Sequence, residues 1–278
     1  MSNAYEINEV KPFGVLLEAR REAEVGVVSI AQLRELTRQH HLVVLRGFSA
    51  IGGAEAFADY CHRWGEISVW PFGKVLELVE HENPKDHIFD NNYVPLHWDG
   101  MYRPQVPEFQ IFQCVSAPRG DHGGRTTFSN TTIALARVAP RLRELWSRVT
   151  GSYHRKMEFY ESHTVAPIIT PHPVKGFPVI RYNEPPRVGD DTFVNHPTLV
   201  FTGIPEDVTD FHLRLREALY APENYYAHSW QTGDIVISDN YTLLHGREAF
   251  SRGAARHLRR VHVLGDPPLD NPHLVSHQ

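Results

Sequence analysis

Phe57, Tyr60, Cys61 and Trp64 fall at i, i+3, i+4 and i+7, a spacing that places them on one face of a helix. A helix is therefore predicted from about Ala54, ended by Gly65. Ser29 followed by Gln32 reads as a capping box, and Ile30, Leu33 and Leu36 give that helix its apolar face. Asn130 is a cap for a short helix from Thr131 to Val138, and Pro140 opens another whose stripe is Leu142, Leu145, Trp146 and Val149. A last helix is predicted from Pro205, with Val208, Phe211, Leu215, Ala218 and Leu219 on its buried face. Elsewhere the pattern is that of short strands. They are predicted over Phe13–Glu18, Leu42–Leu45, Val75–Val79, Phe109–Val115, Val165–Thr170, Phe177–Tyr182 and Thr192–Asn195, then Ile235–Ile237, Tyr241–His245 and Leu258–Val263. Residues 81 to 95 are polar and turn-rich and read as a loop leading to the residues that follow. Many short strands with a few helices predict a mainly β protein with flanking helices, built on a double-stranded β-helix (jelly-roll) core.

The chain has 278 residues, 41% of them hydrophobic, enough for one sizeable core. Neither a linker nor an internal repeat interrupts the pattern, so a single domain over 1–278 is expected. A net charge of −5 provides no basic field for nucleic acid. No apolar run approaches the ~18 residues of a membrane span, and the start lacks the regions of a signal peptide. The two cysteines, Cys61 and Cys114, read as buried thiols of a reducing, cytoplasmic setting. Most of the 18 histidines, among them His40, His41, His273 and His277, read as solvated.

The candidate chemistry centres on Asn91–Gly100, with His97-x-Asp99 at its heart. In an extended segment side chains alternate, so His97 and Asp99 share a side and Trp98 takes the other. An imidazole and a carboxylate side by side make two thirds of a 2-His-1-carboxylate metal site. His245, in the downstream stretch Trp230–Arg247, offers the third ligand. Spacing alone does not choose iron over a catalytic zinc. Arg256 and Arg260 are an even number of residues apart, hence on one face of a strand, roughly 13 Å from each other. Buried cations need anions, which an acidic co-substrate and an acidic substrate supply. Gly123-Gly124 is not a phosphate loop, because no Lys-Ser/Thr follows it.

Together these residues resemble the TauD/TfdA family of Fe(II)/2-oxoglutarate dioxygenases. The likeness rests on His97, Asp99, Gly123-Gly124-Arg125-Thr126-Thr127-Phe128, Gly233-Asp234, His245-Gly246-Arg247, Arg256 and Arg260, and runs from about Phe13 to His262. The stretches Glu77–Glu82, Asp86–Phe89, Asn91–Tyr102 and Leu243–Phe250 further resemble the branch of desaturases that works beside an isonitrile synthase. The resemblance implies Fe(II) on His97, Asp99 and His245. It also implies 2-oxoglutarate held through Arg256 and Thr126, with O2 as the second co-substrate. The substrate it implies is an aromatic amino-acid isonitrile, derived from tyrosine, desaturated with or without loss of its carboxylate. An isonitrile synthase is then the pathway partner, and homo-oligomerisation is left open. Arg260 is the candidate for the substrate's anionic group, Arg259 lies on the opposite face, and Arg247 is a brace for its loop. Trp70, Phe72, Tyr93, Met101 and Tyr102 are candidates for an aromatic substrate pocket. The alternatives are a hydroxylase or taurine-type dioxygenase of a small organic acid, and a non-enzymatic jelly-roll ligand sensor.

Overall fold

The computed structural model describes residues 4–118, 120, 122–158, 160–187, 189 and 193–278. Its strands are, in order, β1 (Tyr5–Glu9), β2 (Val15–Ala19), β3 (Leu42–Arg46), β4 (Leu76–Val79), β5 (Val94–His97) and β6 (Gln105–Ser116). Then come β7 (Thr126–Asn130), β8 (Thr150–Met157), β9 (Tyr160–Pro167), β10 (Ile169–Pro171), β11 (Pro178–Ile180) and β12 (Thr198–Thr202). The last are β13 (Tyr225–His228), β14 (Ile235–Asp239), β15 (Leu243–Arg247), β16 (His257–Asp270) and β17 (Leu274–His277). The helices are α1 (Ile30–His40), α2 (Gly53–His62), α3 (Thr131–Arg137), α4 (Pro140–Ser147) and α5 (Phe211–Leu219). No helix among the described residues is long and apolar enough to cross a membrane.

Seven strands form a sheet in the order β1-β2-β3-β14-β6-β16-β4, and four form a second sheet, β13-β7-β15-β5. Residues from both sheets, Val44, Phe112 and Val236 from the first, Phe128 and Leu243 from the second, close on one another as an apolar core. This is the double-stranded β-helix expected from the sequence. The other face of the large sheet carries Val43, Leu45, Phe109, Ile111, Ile235, Ile237, Val261 and Val263, and packs against Leu33 of α1 and Phe57, Tyr60 and Cys61 of α2. Because side chains alternate along a strand, the residues between those outward positions point into the space between the sheets. Gln110 on β6, Ser238 on β14 and Arg260 and His262 on β16 are such residues, and the register pairs His262 with Gln110 and Gln110 with Ser238. A third sheet, β12-β8-β9-β17, shares a separate core with α3, α4 and α5 around Trp146, Tyr153 and Tyr182.

The caps behave as their residue types dictate. Ser29 Oγ accepts from Gln32 N at 3.2 Å, and Asn130 Oδ1 accepts from Thr132 N and Ile133 N. The last helix begins at Phe211, not Pro205; two short turns, at 206–207 and 209–210, precede it, with Val208 N bonded to Pro205 O. Its buried side chains, Phe211, Leu215 and Leu219, are those of the predicted face. The mixed polar and apolar residues of β8, β12, β13 and β17 hid these strands from periodicity. Of the strand predicted over Thr192–Asn195, Thr192 lies outside the described residues, and 193–195 lead into a turn. His41 is not simply solvated: it ends α1 in the left-handed region, φ 66°, with Nδ1 2.9 Å from Asp239 Oδ2.

Candidate metal and co-substrate site

Strands β5 and β15 pair so that His97 and His245 are direct cross-strand neighbours. Their ring centroids lie 4.2 Å apart. Asp99 follows two residues after His97 and turns back toward both. His97 Nε2 is 3.8 Å from Asp99 Oδ1, and His245 Nε2 is 3.6 Å from Asp99 Oδ2. One ligand atom from each of the three lies within 4.8 Å of the others. His97 Nδ1 sits 2.9 Å from the Pro95 carbonyl. A carbonyl only accepts, so Nδ1 carries the proton and Nε2 keeps its lone pair for a metal. Burial holds His97 below the usual histidine range, and burial together with the neighbouring His97 holds His245 well below it. Burial alone would raise Asp99, but Arg260, His262 and His245 keep it well below the ordinary carboxylate range. Two neutral imidazoles and one carboxylate are the donor set that a divalent ion such as Fe(II) requires.

The backbone around these ligands is as constrained as the side chains. Asn240 grips Asp99 at both main-chain groups, accepting from its N at 3.0 Å and donating to its O at 2.8 Å. Gly100 has φ 101°, and a Cβ there would lie 2.8 Å from Pro107 Cδ and 2.9 Å from Val106 Cα. Gly246, next to His245, leaves room for the Val94 carbonyl, which a Cβ would meet at 2.5 Å. Each motif thus carries a glycine where the ligand strand approaches its neighbour closely.

Arg256 is 4% exposed and, among the described residues, has no carboxylate within ion-pair distance. Its Nε donates to Gly124 O at 2.8 Å and its Nη2 to Thr126 Oγ1 at 3.4 Å. Burial, reinforced by Arg247, pushes its pKa down to about 9. Trp230 Nε1 also donates to Thr126 Oγ1, at 3.0 Å. With its oxygen accepting from both, the Thr126 hydroxyl is free to donate its own proton. A cavity of about 50 Å³ lies against Arg256, Thr126, His97 and His245, its walls including Phe112 and Ile88. A buried cation without an anion, one step from the metal ligands, fits the distal carboxylate of a keto-diacid. Arg247 braces its loop as expected, donating to the carbonyls of Ile88, Asp90 and Asn92 at 2.9, 2.7 and 2.6 Å. Arg259 points away to Glu77 Oε1 at 2.9 Å.

Arg260 lines this cavity and a larger one of about 450 Å³ that shares its His97, Ile88 and Val94 wall and adds Asp99. Its Nη1 lies 2.9 Å from Asp99 Oδ2, a partner inside the protein that the sequence did not suggest. Trp70, Phe72 and Tyr102 line the large cavity. Met101 does not: it is 1% exposed in the α3–α5 core, its Sδ facing Asn183 Nδ2 at 3.6 Å. Nor does Tyr93, whose ring sits edge-on to Phe193 at 5.1 Å and whose hydroxyl accepts from Arg187 N. In place of these two, the wall has Tyr160 and the buried Arg155, whose Nη2 is 2.5 Å from Asp86 Oδ2. Sequence reasoning also missed Gln110 and His262, which both touch Asp99 Oδ2, at 2.5 and 2.8 Å. The signal was there for His262, two residues beyond Arg260 on the same strand, and for Gln110, a polar residue inside an apolar strand. Arg155 carried none, and Asp86 stood in a stretch of the resemblance with no role assigned to it.

A model of the taurine catabolism dioxygenase TauD, TfdA family matches residues 9–262. Tyrosine isonitrile desaturase of Pseudomonas aeruginosa is 52% identical over 264 residues, covering 94% of this chain and 91% of its own. The 3-((Z)-2-isocyanoethenyl)-1H-indole synthase of Fischerella ambigua is 41% identical over 267 residues, 95% of this chain and 97% of its own. The solved structure of PvcB, described as an Fe, α-ketoglutarate-dependent oxygenase from an isonitrile synthetic pathway, superposes with a TM-score of 0.85 at 47% identity. That superposition covers 99% of this chain and 97% of PvcB. With the fold, the ligand geometry and relatives matched almost end to end in agreement, this chain belongs to the TauD, TfdA dioxygenase family.

Proposed function

We propose that this chain is an Fe(II)- and 2-oxoglutarate-dependent oxygenase that desaturates an aromatic amino-acid isonitrile, with or without loss of the carboxylate. The single observation that carries the co-substrate half is Arg256, a buried guanidinium without an internal anion beside the His97–Asp99–His245 cluster. His97, Asp99 and His245 would hold Fe(II), while Arg256 and Thr126 would hold the far carboxylate of 2-oxoglutarate. With both bound, the group supplies two-electron oxidation of a C–H bond, as O2 and 2-oxoglutarate become succinate, CO2 and water.

The chain's own residues do the rest. The apolar wall of Trp70, Phe72 and Leu76 takes the aromatic ring and excludes water from the reacting carbon. Arg260, at the junction of the two cavities, faces the substrate's carboxylate. Desaturation removes two hydrogens from adjacent carbons, or one hydrogen and the carboxylate as CO2. A carboxylate clamped by a guanidinium is stabilised as an anion and is slower to leave. The substrate class is supported by two relatives, one named for a tyrosine isonitrile and one for an indole bearing an isocyanoethenyl group. A phenol and an indole are both planar aromatic groups. An isonitrile synthase is the natural supplier of this substrate. The free, buried Cys61 and Cys114 suit the cytoplasm, and one domain over 1–278 is the expected unit.

The test is anaerobic mixing of protein, Fe(II), 2-oxoglutarate and tyrosine isonitrile, followed by oxygen, with succinate and products read by mass spectrometry. A vinyl isonitrile, or its acid, formed in step with succinate supports the proposal. A dominant, stable product with one added oxygen atom overturns desaturation.

A further inference from the structure

Asp99 Oδ2 receives three donors: Gln110 Nε2 at 2.5 Å, His262 Nε2 at 2.8 Å and Arg260 Nη1 at 2.9 Å. The other ring nitrogen of His262, Nδ1, lies 3.2 Å from Trp70 Nε1. An indole N–H can only donate, so His262 Nδ1 must be the acceptor. The single proton of the neutral ring is then on Nε2, the nitrogen that faces the carboxylate. His262 is buried, 3% exposed, with both ring nitrogens engaged by protein groups.

We infer that Trp70 and His262 are positioning residues for the metal-ligating carboxylate: Trp70 fixes the His262 tautomer, and His262 occupies Asp99 Oδ2, so that Oδ1 alone is presented to the metal. With three N–H groups on Oδ2, that oxygen has no lone pair left to give, and bidentate coordination, which would take one of the positions a co-substrate needs, is blocked. This inference rests on the metal reading of His97, Asp99 and His245. It adds a link that reading does not contain, because Trp70 is also part of the substrate cavity wall. Its indole stacks on Phe72 at 5.6 Å and 11°, and Arg103 lies 4.8 Å above it. The same ring therefore touches the substrate space on one side and, through one imidazole, the metal ligand on the other.

The experiment is titration of the full chain with Co(II) in the presence of 2-oxoglutarate, reading both affinity and the ligand-field absorption. His262→Phe removes the donor and is expected to weaken Co(II) binding about 10–100-fold, the usual cost of losing such a support. It should also change the shape of the spectrum. His262→Gln restores an N–H donor and should recover most of the affinity. Trp70→Phe keeps the wall aromatic but frees the tautomer, so a smaller loss with the same spectral change is expected. In ¹⁵N-histidine-labelled wild-type protein, the His262 signal, assigned by its absence in His262→Gln, should be that of the Nε2–H form. It should become a mixture in Trp70→Phe. Wild-type affinity and spectrum in His262→Phe, or an Nδ1–H signal in the wild type, overturn the inference. Asp99→Ala separates the two layers: if it binds Co(II) like the wild type, the metal reading itself fails.

Discussion

His97 and His245 face each other across two antiparallel strands, ring centroids 4.2 Å apart, in direct register. Cross-strand pairing places the two imidazoles, and the turn after β5 brings Asp99 back to complete the set. Replacing His97, Asp99 or His245 by alanine is expected to abolish succinate formation and Co(II) binding. Near wild-type Fe(II)-dependent turnover in any one variant would remove that residue from the ligand set.

Arg256 and Arg259 give opposite expectations from the same short segment. Arg256→Ala leaves a co-substrate carboxylate buried without its partner, a loss of about 2–5 kcal/mol, and the KM for 2-oxoglutarate should rise accordingly. Lysine should rescue it poorly, because a point charge does not reproduce the fork. Arg259→Ala should leave that KM unchanged, since Arg259 answers Glu77 and does not line the small cavity beside Arg256. Initial rates against 2-oxoglutarate concentration check all three.

Gly100→Ala tests how tightly Asp99 is placed. The added methyl meets Pro107 Cδ at 2.8 Å and Val106 Cα at 2.9 Å, on a backbone at φ 101°. The turn must shift, and Asp99 with it. The expected result is weakened Co(II) binding together with a lower melting temperature. A variant that melts and binds metal like the wild type would show the turn to be less constrained than its contacts imply.

His172 gives the protein an acid-sensitive turn away from the site. Its Nδ1 accepts from Val174 N and Lys175 N, both at 3.2 Å, in the turn between β10 and β11. Burial, opposed by Asp239 and aided by Arg181 and Lys175, pushes its pKa down from 6.5 to about 4. The folded state thus favours the neutral ring. Its contribution to stability is complete above the unfolded pKa of 6.5 and is lost as pH falls toward 4. His172→Gln keeps an acceptor that does not titrate. Denaturation midpoints between pH 7 and 5 should therefore fall less steeply in the variant than in the wild type; parallel curves would exclude His172 as the source.

Arg260→Ala should weaken substrate binding, and it should raise the share of decarboxylated product if the guanidinium restrains the carboxylate. Product ratios by mass spectrometry decide this. An unchanged ratio with an unchanged substrate KM would assign Arg260 to Asp99 alone.

The amino-acid sequence by itself determined the parts that depend on local order. Helix faces such as Phe57–Trp64 and caps such as Ser29 and Asn130 follow from spacing and hydrogen-bonding type, which act within a few residues. His97 and Asp99, two apart with Trp98 between them, were legible for the same reason. Arg256 and Arg260 were legible as two cations that need anions, but the anion of Arg260 was not. Asp99 reaches it only because β16 lies beside β6 and Asp99 folds in from another part of the chain. The same holds for Gln110 and His262, which are ordinary polar residues until strand register sets them on one carboxylate. Met101 and Tyr93 stand beside the ligands in sequence yet turn into other surroundings, because adjacency along the chain does not fix which side of a wall a side chain occupies. Arg155 joins the cavity wall from a distant strand, its guanidinium held by the buried Asp86. Local chemistry follows from neighbours in sequence; the convergence on Asp99 follows from which strands the core makes neighbours in space.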